Sequence, residues 1–332
     1  MRLIGGLFTH HEDYVALFKF RLSMLLPKAT VEVCAESGAL GAAWLAEHTE
    51  SAPPARDTAV VEDAEALAVA ATEQSNPRSA DLDRKSTAEL VDLFASEESY
   101  VQAALQAKRA ELIAAVDLVA AAVKAGGHLF YTGAGTSGRL GVLDASEIPP
   151  TFGAPPELVQ GIIAGGTTAL HRAVEGAEDQ PESGALAIVE RGVGEGDVVC
   201  GITASGRTPF VLGALARACE LGARTILLTC NPSRTRTSWD VEIDLPTGPE
   251  IVTGSTRLKA GTATKVVLNI LSTCAMVRLG RVRGNAMVDL HISNAKLRDR
   301  GVRLVSRELH IGYEEAKKRL EKVGWDVRLA LR

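Results

Sequence analysis

The sequence predicts an α/β protein in which helices cover both faces of a parallel, doubly wound sheet, with a helical cap at the carboxyl end. Apolar stretches of strand length alternate with amphipathic stretches of helix length from residue 128 to residue 245. Two of the strands run into turns rich in glycine and hydroxyl groups, at residues 131–139 and 203–209, and each turn leads into a helix. This alternation is typical of a parallel sheet whose strands are joined by crossover helices.

The elements of the main domain follow from the hydrophobic pattern. Ser86 and Glu89 form a capping-box pattern, and a long helix is predicted over residues 96–125. The strands are predicted at residues 128–132, 158–163, 197–202, 224–229 and 240–245, and the later helices at residues 139–147, 168–178, 209–221 and 263–277.

By composition the chain divides into four segments. Residues 1–50 predict a turn, a helix, a strand and a second helix, and the Pro- and Ala-containing residues 51–70 form a linker. Residues 71–292 hold the main domain, and residues 293–332 predict three short amphipathic helices. We interpret this last segment as a packing or dimer-contact element rather than a binding module.

Composition argues against several classes of protein. The 332 residues carry a net charge of −5, which gives no reason to expect nucleic acid or an anionic membrane as a partner. No uninterrupted apolar stretch reaches spanning length and the start lacks a secretory pattern, so we expect a cytoplasmic protein. The five cysteines and seven histidines lack metal-ligand spacing, which predicts buried thiols and no metal site. A nucleophilic role for Cys200 or Cys230 would need a nearby histidine that the sequence cannot locate.

The turn after the first strand of the main domain is a predicted phosphate site. Its glycines let the backbone approach a ligand closely, and the free amide hydrogens and the positive dipole of the helix start face an anion there. Hydroxyl side chains in the turn can donate to a terminal phosphate dianion. The predicted ligands are Gly135, Thr136, Ser137 and Gly138.

The same turn matches the GxGxxG pattern of dinucleotide-binding proteins, which we reject. That fingerprint needs an acidic residue at the end of the next strand for the ribose hydroxyls. The next predicted strand ends in Ala164, Gly165 and Gly166, where no acid is present. A glycine turn that binds nothing is the other alternative, and the second turn argues against it.

The second turn repeats the pattern after the strand at residues 197–202. Its predicted phosphate ligands are Thr203, Ser205, Gly206 and Thr208. Because both turns follow strands of one parallel sheet, their helix starts can lie along its carboxyl edge, where open α/β sheets bind ligands. Arg139 and Arg207 could add charge, although arginines after turns are more often solvated.

Glu147 is a candidate for acid–base chemistry. Pro149 disfavours helix at Ile148, so Glu147 is predicted in the last turn, where the negative dipole end disfavours a charged carboxylate. The helix would separate Glu147 from the phosphate turn by about 14 Å, more than the span of a hexose. A partner subunit's site, a break in the helix or an inward-turned side chain could each resolve this conflict.

Further polar residues offer less specific signals. Glu175 and Glu178 are predicted on one helix face and, from their spacing alone, favour surface carboxylates. Residues 248–262 form a polar, glycine-rich segment before an apolar helix, in which Ser255 and Thr256 could cap a helix or contact a sugar. Lys259 could neutralise phosphate or lie exposed in solvent. From this segment Glu250, Ser255 and Lys259 are predicted to bind substrate.

Four long motifs, in order, resemble one family. GAGTSGRLGVLDASEIPPTFG, AGGTTALHRAVEGAED, GITASGRTPF and GPEIVTGSTRLKAGTATKVVLN are similar to the N-acetylmuramic acid 6-phosphate etherases of the SIS phosphosugar-binding superfamily. The resemblance covers residues 71–332 and includes residues 72–77 at its start. Its four motifs are far more specific than a single Ser-Gly phosphate turn.

The resemblance implies a function and a site. It implies cleavage of the lactyl ether of a phosphosugar substrate, N-acetylmuramic acid 6-phosphate, by a homodimer without metal, nucleotide or other cofactor, in cell-wall sugar recycling. It also implies that Glu147 and Glu178 are the catalytic glutamates, without saying which acts as acid and which as base. An aldose–ketose isomerase and a non-catalytic phosphosugar sensor are the alternative functions.

The amino-terminal segment departs from that family. Residues 1–50 resemble the carboxyl-terminal end of sugar kinases similar to N-acetylglucosamine kinase, with an actin-like ATPase fold. The nucleotide-binding phosphate loops of those kinases are absent from this sequence, so we expect no kinase activity.

Overall fold

The protein is described here from a computed structural model, which covers residues 2–4, 32–34, 70–231, 239–289, 292 and 295–332. The chain forms two compact units, Met1–Ala55 and Arg56–Arg332. In the first unit, β1 (Arg2–Ile4) pairs in parallel with β2 (Glu32–Cys34). The helices predicted within residues 1–50 and the linker at residues 51–70 lie outside the described residues, apart from Ala70.

A parallel sheet of five strands forms the centre of the second unit. Its strands are β3 (Leu129–Gly133), β4 (Val159–Ile163), β5 (Val198–Thr203), β6 (Arg224–Thr229) and β7 (Val241–Asp244). The strand order is β4-β3-β5-β6-β7, and every neighbouring pair is parallel. The five strands coincide closely with the predicted ones and confirm the α/β class.

Helices cover both faces of this sheet, as the doubly wound prediction requires. Because side chains alternate along a strand, Leu129 and Tyr131 enter one apolar cluster while Phe130 enters another on the opposite face. The helices are α1 (Thr87–Ala107), α2 (Arg109–Lys124), α3 (Gly135–Phe152), α4 (Pro181–Glu190), α5 (Pro209–Glu220) and α6 (Lys259–Arg278). Helices α2, α3 and α6 pack on the first face, and α4 and α5 on the second.

Two helix predictions are corrected at their boundaries. The capping box of Ser86 and Glu89 is confirmed, and it starts α1 nine residues before the long helix was predicted to begin. That long helix is two helices, because the backbone leaves the helical conformation at Lys108 (φ −107°, ψ 25°).

The helix predicted at residues 168–178 is wrong. Only a short 3-10 helix, Gly166–Leu170, forms there, and turns follow it up to the start of α4. Glycine explains the difference, since Gly165, Gly166 and Gly176 all have positive φ values, of 81°, 64° and 69°. Glu175 and Glu178 therefore do not share a helix face.

Helix α3 also differs from its prediction at both ends. It starts four residues before the predicted position and continues through Pro149 and Pro150 to Phe152. The helix ends instead at Gly153, whose left-handed backbone (φ 59°) lets its amide donate to the carbonyl of Pro149 at 2.9 Å. A side chain at Gly153 would clash with the carbonyl of Asp289, so the helix end fits closely against the next segment.

The predicted three-helix carboxyl-terminal segment is present as α7 (Ala295–Leu309), α8 (Tyr313–Lys322) and α9 (Val327–Ala330). These helices share their own apolar cluster, which includes Val305, Leu320 and Ala330. The short antiparallel strands β8 (Val282–Arg283) and β9 (Ala286–Met287) precede them.

Helix α6 is apolar and long enough to cross a membrane by length and composition alone. Over half of that apolar stretch is buried inside the domain, where Val267, Leu268 and Leu271 join the core beside the sheet. These contacts identify α6 as a core helix of this domain.

Candidate active site

The first predicted phosphate turn is a tight connection between β3 and α3. A side chain on Gly138 would lie 2.6 Å from the carbonyl oxygen of Gly133, and one on Gly133 would lie 2.7 Å from the amide nitrogen of Gly138. Only glycine therefore allows this approach of strand and helix. Because α3 starts at Gly135, Thr136 and Ser137 lie in its first turn, where backbone amides have no partner within the helix.

The second turn brings several hydroxyl groups together at the start of α5. The Thr203 hydroxyl lies 2.7 Å from that of Thr208 and 3.2 Å from that of Ser205. Gly206 has a positive φ of 74°, which closes the turn, and the Arg207 amide donates to Ser205 Oγ at 3.2 Å. The result is a compact hydroxyl cluster at a helix start, an arrangement suited to an anion.

Both turns lie at the same edge of the sheet. Strands β3 and β5 are parallel neighbours, and Gly133 at the end of β3 is aligned with Ile202 near the end of β5. The two turns therefore leave adjacent strands at their carboxyl ends, as predicted. That they bind phosphate stays a prediction.

The third polar segment adds a further helix start to this edge. Glu250 is fully buried, and its carboxylate accepts hydrogen bonds from the amides of Lys259 (3.0 Å) and Ala260 (2.9 Å) at the start of α6. A side chain on Gly261 would lie 3.6 Å from Thr136 Cγ2, which places the first turn of α6 beside the first phosphate turn.

A buried carboxylate stands at α6 in place of the helix cap considered for Ser255 and Thr256. Neither Ser255 nor Thr256 caps α6, because the N-cap residue is Leu258 and the buried Glu250 carboxylate satisfies the helix amides. Burial raises the pKa of Glu250, while the two amide donors and the nearby Lys259 act in the opposite direction. The predicted substrate contacts of Glu250 and Ser255 stay predictions.

Lys259 is buried rather than exposed. Its ammonium forms an ion pair with the buried carboxylate of Glu97 on α1 and lies 4.8 Å from the ring centre of Tyr100. Glu97 also accepts hydrogen bonds from Asn76 Nδ2 (2.9 Å) and Arg78 Nη1 (2.7 Å). The charge of Lys259 is thus already balanced within the protein, and its contact with phosphate stays a prediction.

A segment that sequence reasoning left out of the site lies against the second turn. We call residues 70–79 the amino-terminal strap. Buried Thr72 donates its amide to Asn231 Oδ1 (3.4 Å), and Asn231 Nδ2 donates to the Thr72 hydroxyl (2.8 Å) and to the carbonyl of Ala204 (2.9 Å). No spacing in the sequence links Asn231 to the strap, and only the family resemblance of residues 72–77 could have drawn attention to it.

The chain is similar to known proteins whose names refer to a SIS domain or to a phosphosugar. A family model for the glucokinase regulatory protein N-terminal SIS domain matches residues 111–219. A phosphoheptose isomerase structure from Francisella tularensis aligns with a TM-score of 0.44 at 19% identity, covering 57% of this chain and 98% of that chain.

Two curated relatives decide the family. An N-acetylmuramic acid 6-phosphate etherase of Gloeobacter violaceus is 56% identical over 261 residues, which are 78% of this chain and 85% of that protein. An etherase of the same name from Crocosphaera subtropica is 52% identical over 261 residues, covering 78% of this chain and 86% of that protein. This chain belongs to the N-acetylmuramic acid 6-phosphate etherase family.

Of the two glutamates that the resemblance to the etherase family assigns as catalytic, Glu178 lies near the second turn. It is exposed in the turn before α4, and its carbonyl oxygen accepts a hydrogen bond from the amide of Phe210 at 3.0 Å. Phe210 is the second residue of α5, so the backbone of Glu178 lies beside the helix start that carries Thr208.

Glu147, the other assigned glutamate of the etherase family, lies far along α3. It is not in the last turn, because the helix continues for five more residues, and the argument from the negative helix end therefore does not apply. Glu147 lies twelve positions after Gly135, the first residue of α3. This corresponds to about 18 Å along the helix axis. The helix is unbroken and Glu147 is exposed, so neither a break nor an inward-turned side chain brings it to the phosphate turns.

The remaining chemical groups of this etherase-family chain offer few alternatives. Burial raises the pKa of the Cys200 and Cys230 thiols to about 12, which leaves both protonated and unreactive at neutral pH. Cys274 is exposed, contrary to the prediction of buried thiols. Among the described residues no group of three His, Cys, Asp or Glu side chains could hold a metal ion.

Proposed function

We propose that this protein cleaves the D-lactyl ether of N-acetylmuramic acid 6-phosphate to N-acetylglucosamine 6-phosphate and D-lactate, in cell-wall amino-sugar recycling. The observation that carries the proposal is the pair of hydroxyl-rich turns at adjacent strand ends, in a chain that matches curated etherases over most of their length. The buried, reduced thiols of Cys200 and Cys230 support a cytoplasmic location.

The phosphate group would be held by the two helix starts together. Ser137, Ser205 and Thr208 offer hydroxyl donors, and the amides of the first turns of α3 and α5 offer further donors to a dianion. Binding energy from the phosphate, which does not react, would hold the sugar carbons in position for chemistry. Thr203, which shares hydrogen bonds with Ser205 and Thr208, would orient their hydroxyls.

The reaction is an elimination followed by addition of water. In the open-chain sugar, the aldehyde acidifies the proton on C2, so a carboxylate can remove it and the electron pair forms the C2–C3 double bond. The C3–O bond breaks, and the lactyl oxygen leaves with a proton supplied by an acid. Water then adds at C3 and a proton returns to C2, which completes the balance.

Two glutamates divide these steps in our proposal. Glu147 supplies the proton to the leaving oxygen, and Glu178 acts at C2 or on the attacking water. The position of Glu178 beside the start of α5 supports its part, since that helix start would hold the phosphate. Each carboxylate would contribute about 10²–10⁴ in rate.

We propose that the active unit is a homodimer in which Glu147 serves the partner's site. The distance of Glu147 from the phosphate turns of its own subunit supports this arrangement, because the unbroken helix α3 keeps the two apart. The carboxyl-terminal helices, residues 293–332, are proposed to contribute packing or dimer contacts.

Incubation with N-acetylmuramic acid 6-phosphate and an assay for free D-lactate test the activity directly. Lactate release by the purified chain supports the etherase, and a chain that binds the phosphosugar without release would contradict it. Because residues 1–50 lack the phosphate loops of a kinase, ATP turnover is expected to be absent in the same preparation.

One observation favours a second function, a non-catalytic phosphosugar sensor. The matching family model describes a domain of a regulatory protein, and it covers residues 111–219, including both phosphate turns. A thermal-shift response to phosphosugars without lactate release would support that function. Interconversion of aldose and ketose phosphosugars without lactate release would instead indicate an isomerase.

A further inference from the structure

A further carboxylate, that of Glu73, lies next to the residues that contact the second phosphate turn. Glu73 is the residue after Thr72 in the amino-terminal strap, and it is exposed. Its Oε1 accepts a hydrogen bond from the neighbouring Thr72 hydroxyl at 3.4 Å. Glu73 is neither one of the two assigned catalytic glutamates nor part of a phosphate turn.

The strap holds Glu73 between two buried anchors. On one side, Thr72 is fully buried and bonded to Asn231, which also bonds to Ala204 in the second phosphate turn. On the other side, Asn76 is buried and bonded to Glu97, the partner of Lys259. The backbone at Glu73 is therefore fixed at both ends although its side chain remains accessible.

The side chain of Glu73 extends towards the segment that precedes α6. Its Oε2 lies 3.4 Å from the place where a side chain on Gly254 would begin. Gly254 has a positive φ of 74°, so glycine is favoured at this position beside the carboxylate. Glu73 is thus flanked by the second phosphate turn and by the segment that leads to the start of α6, beside Thr136.

We propose that Glu73 opens the pyranose ring of the bound phosphosugar, an inference that rests on the proposed etherase function. The ring form has no aldehyde, and its C2 proton is acidified only after C1 becomes a carbonyl. Elimination therefore needs a ring-opening step before it, and Glu147 and Glu178 are already engaged at C2 and C3.

The step is a proton transfer between two oxygens of the sugar. The Glu73 carboxylate takes the proton of the C1 hydroxyl, the O1 electron pair forms the C1=O1 double bond, and the C1–O5 bond breaks. The pair released to O5 takes the proton back from the Glu73 carboxyl group. No oxidant, reductant or metal is required, and the carboxylate is regenerated.

Ring opening has a measurable signature of its own, the exchange of α and β anomers. Magnetisation transfer between the two C1-proton signals of N-acetylglucosamine 6-phosphate measures the rate of anomer exchange. This rate is compared in the presence of the wild-type protein and of Glu73→Gln. We expect the wild type to accelerate exchange, and Glu73→Gln to lose about 10²-fold of that acceleration together with lactate release. Glu73→Asp should recover part of both.

Asp83→Asn is the matched control, since Asp83 is an exposed acid ten residues further along the same segment. It should match the wild type in anomer exchange, and melting curves should show all variants folded. Anomer exchange that is unchanged in Glu73→Gln, or absent from the wild type, overturns the inference. If exchange depends on Glu73 while lactate is never released, ring opening stands and the etherase proposal fails.

Discussion

A single buried carboxylate, that of Glu97, joins three parts of the domain. It pairs with Lys259 at the start of α6 and accepts hydrogen bonds from Asn76 and Arg78 of the strap. An unpaired buried charge is costly, whereas removing both partners of a pair costs less. Glu97 is therefore a position at which stability and site geometry are coupled.

We predict that Glu97→Gln lowers the free energy of unfolding by about 3–5 kcal/mol, because the Lys259 ammonium stays buried without its partner. Urea unfolding measures the loss, and Glu98→Gln, at the exposed neighbouring residue, is the control. The double variant with Lys259→Met should be less destabilised than Glu97→Gln alone. A single-variant loss no larger than that of the control would contradict this assignment.

The two assigned catalytic glutamates give a second prediction at this scale. We expect Glu147→Gln and Glu178→Gln each to lower kcat by about 10²–10⁴, because a glutamine side chain cannot take up or supply the proton. Both side chains are exposed, so folding should be unaffected. Deuterium entry at C2, measured separately from lactate release, distinguishes the two roles, and undiminished lactate release in both variants would dismiss them.

Glu250 gives a prediction for pH. Burial raises the pKa of its carboxyl group above the ordinary value of 4.5, so the folded protein holds this proton to a higher pH than the unfolded chain. The stability gained from this proton is complete below the unfolded pKa and is lost as pH rises through the folded pKa.

We therefore expect the stability of the wild type, relative to Glu250→Gln, to decrease as pH rises above the ordinary carboxyl pKa of 4.5. Urea unfolding of both proteins at a series of pH values measures the difference. A stability difference that does not change with pH would show that this carboxyl group titrates equally in the folded and unfolded states.

At the scale of elements, the connection between β3 and α3 depends on glycine. A methyl group on Gly138 would meet the Gly133 carbonyl oxygen and Ile163 Cγ1, both at 2.6 Å. We predict that Gly138→Ala costs about 1–3 kcal/mol of stability and raises KM, because the first phosphate turn must shift.

Gly194→Ala is the control, since a side chain there would meet no atom within 4 Å. Thermal unfolding and steady-state kinetics of both variants check the prediction. Equal melting temperatures and equal KM values in the two variants would mean that the tight approach is unimportant.

The sequence was a reliable guide to the strands and a poorer guide to the helices. Strands β3, β5 and β6 each contain a short apolar run close to turn residues, and such runs depend little on distant contacts. Helix α3 continues through Pro149 and Pro150, a result that tertiary packing decides against local preference.

The candidate site was likewise predictable only where it is local. The two turns are contiguous motifs whose chemistry follows from glycine and hydroxyl residues at strand ends. The Glu97–Lys259 pair spans 162 positions and the Thr72–Asn231 bond spans 159, so neither leaves a spacing signal in the sequence. The separation of Glu147 from Glu178 could not be predicted either, because it depends on the actual lengths of α3 and of the turns before α4.

At the scale of the whole molecule, the proposed dimer predicts complementation between inactive variants. If Glu147 acts in the partner's site, a heterodimer of Glu147→Gln and Glu178→Gln subunits contains one site with both glutamates intact. Subunit exchange between equal amounts of the two variants should then restore about one quarter of the wild-type lactate release.

Each variant alone provides the baseline for this mixture, and size-exclusion chromatography confirms that dimers are present. If Glu147 serves its own subunit, every site in the mixture lacks one glutamate, and activity stays at the baseline. A monomeric protein with full activity would also exclude the shared site.

The bond between Thr72 and Asn231 has a consequence for how the chain matures during synthesis. The strap emerges from the ribosome early, but its buried partner Asn231 follows 159 positions after Thr72, two residues beyond the end of β6. Closing so long a segment is entropically unfavourable until the intervening strands have formed. A nascent chain halted before Asn231 would already contain the first Ser-Gly turn, but Glu73 would not yet be docked. The site is therefore complete only after most of the polypeptide has been translated.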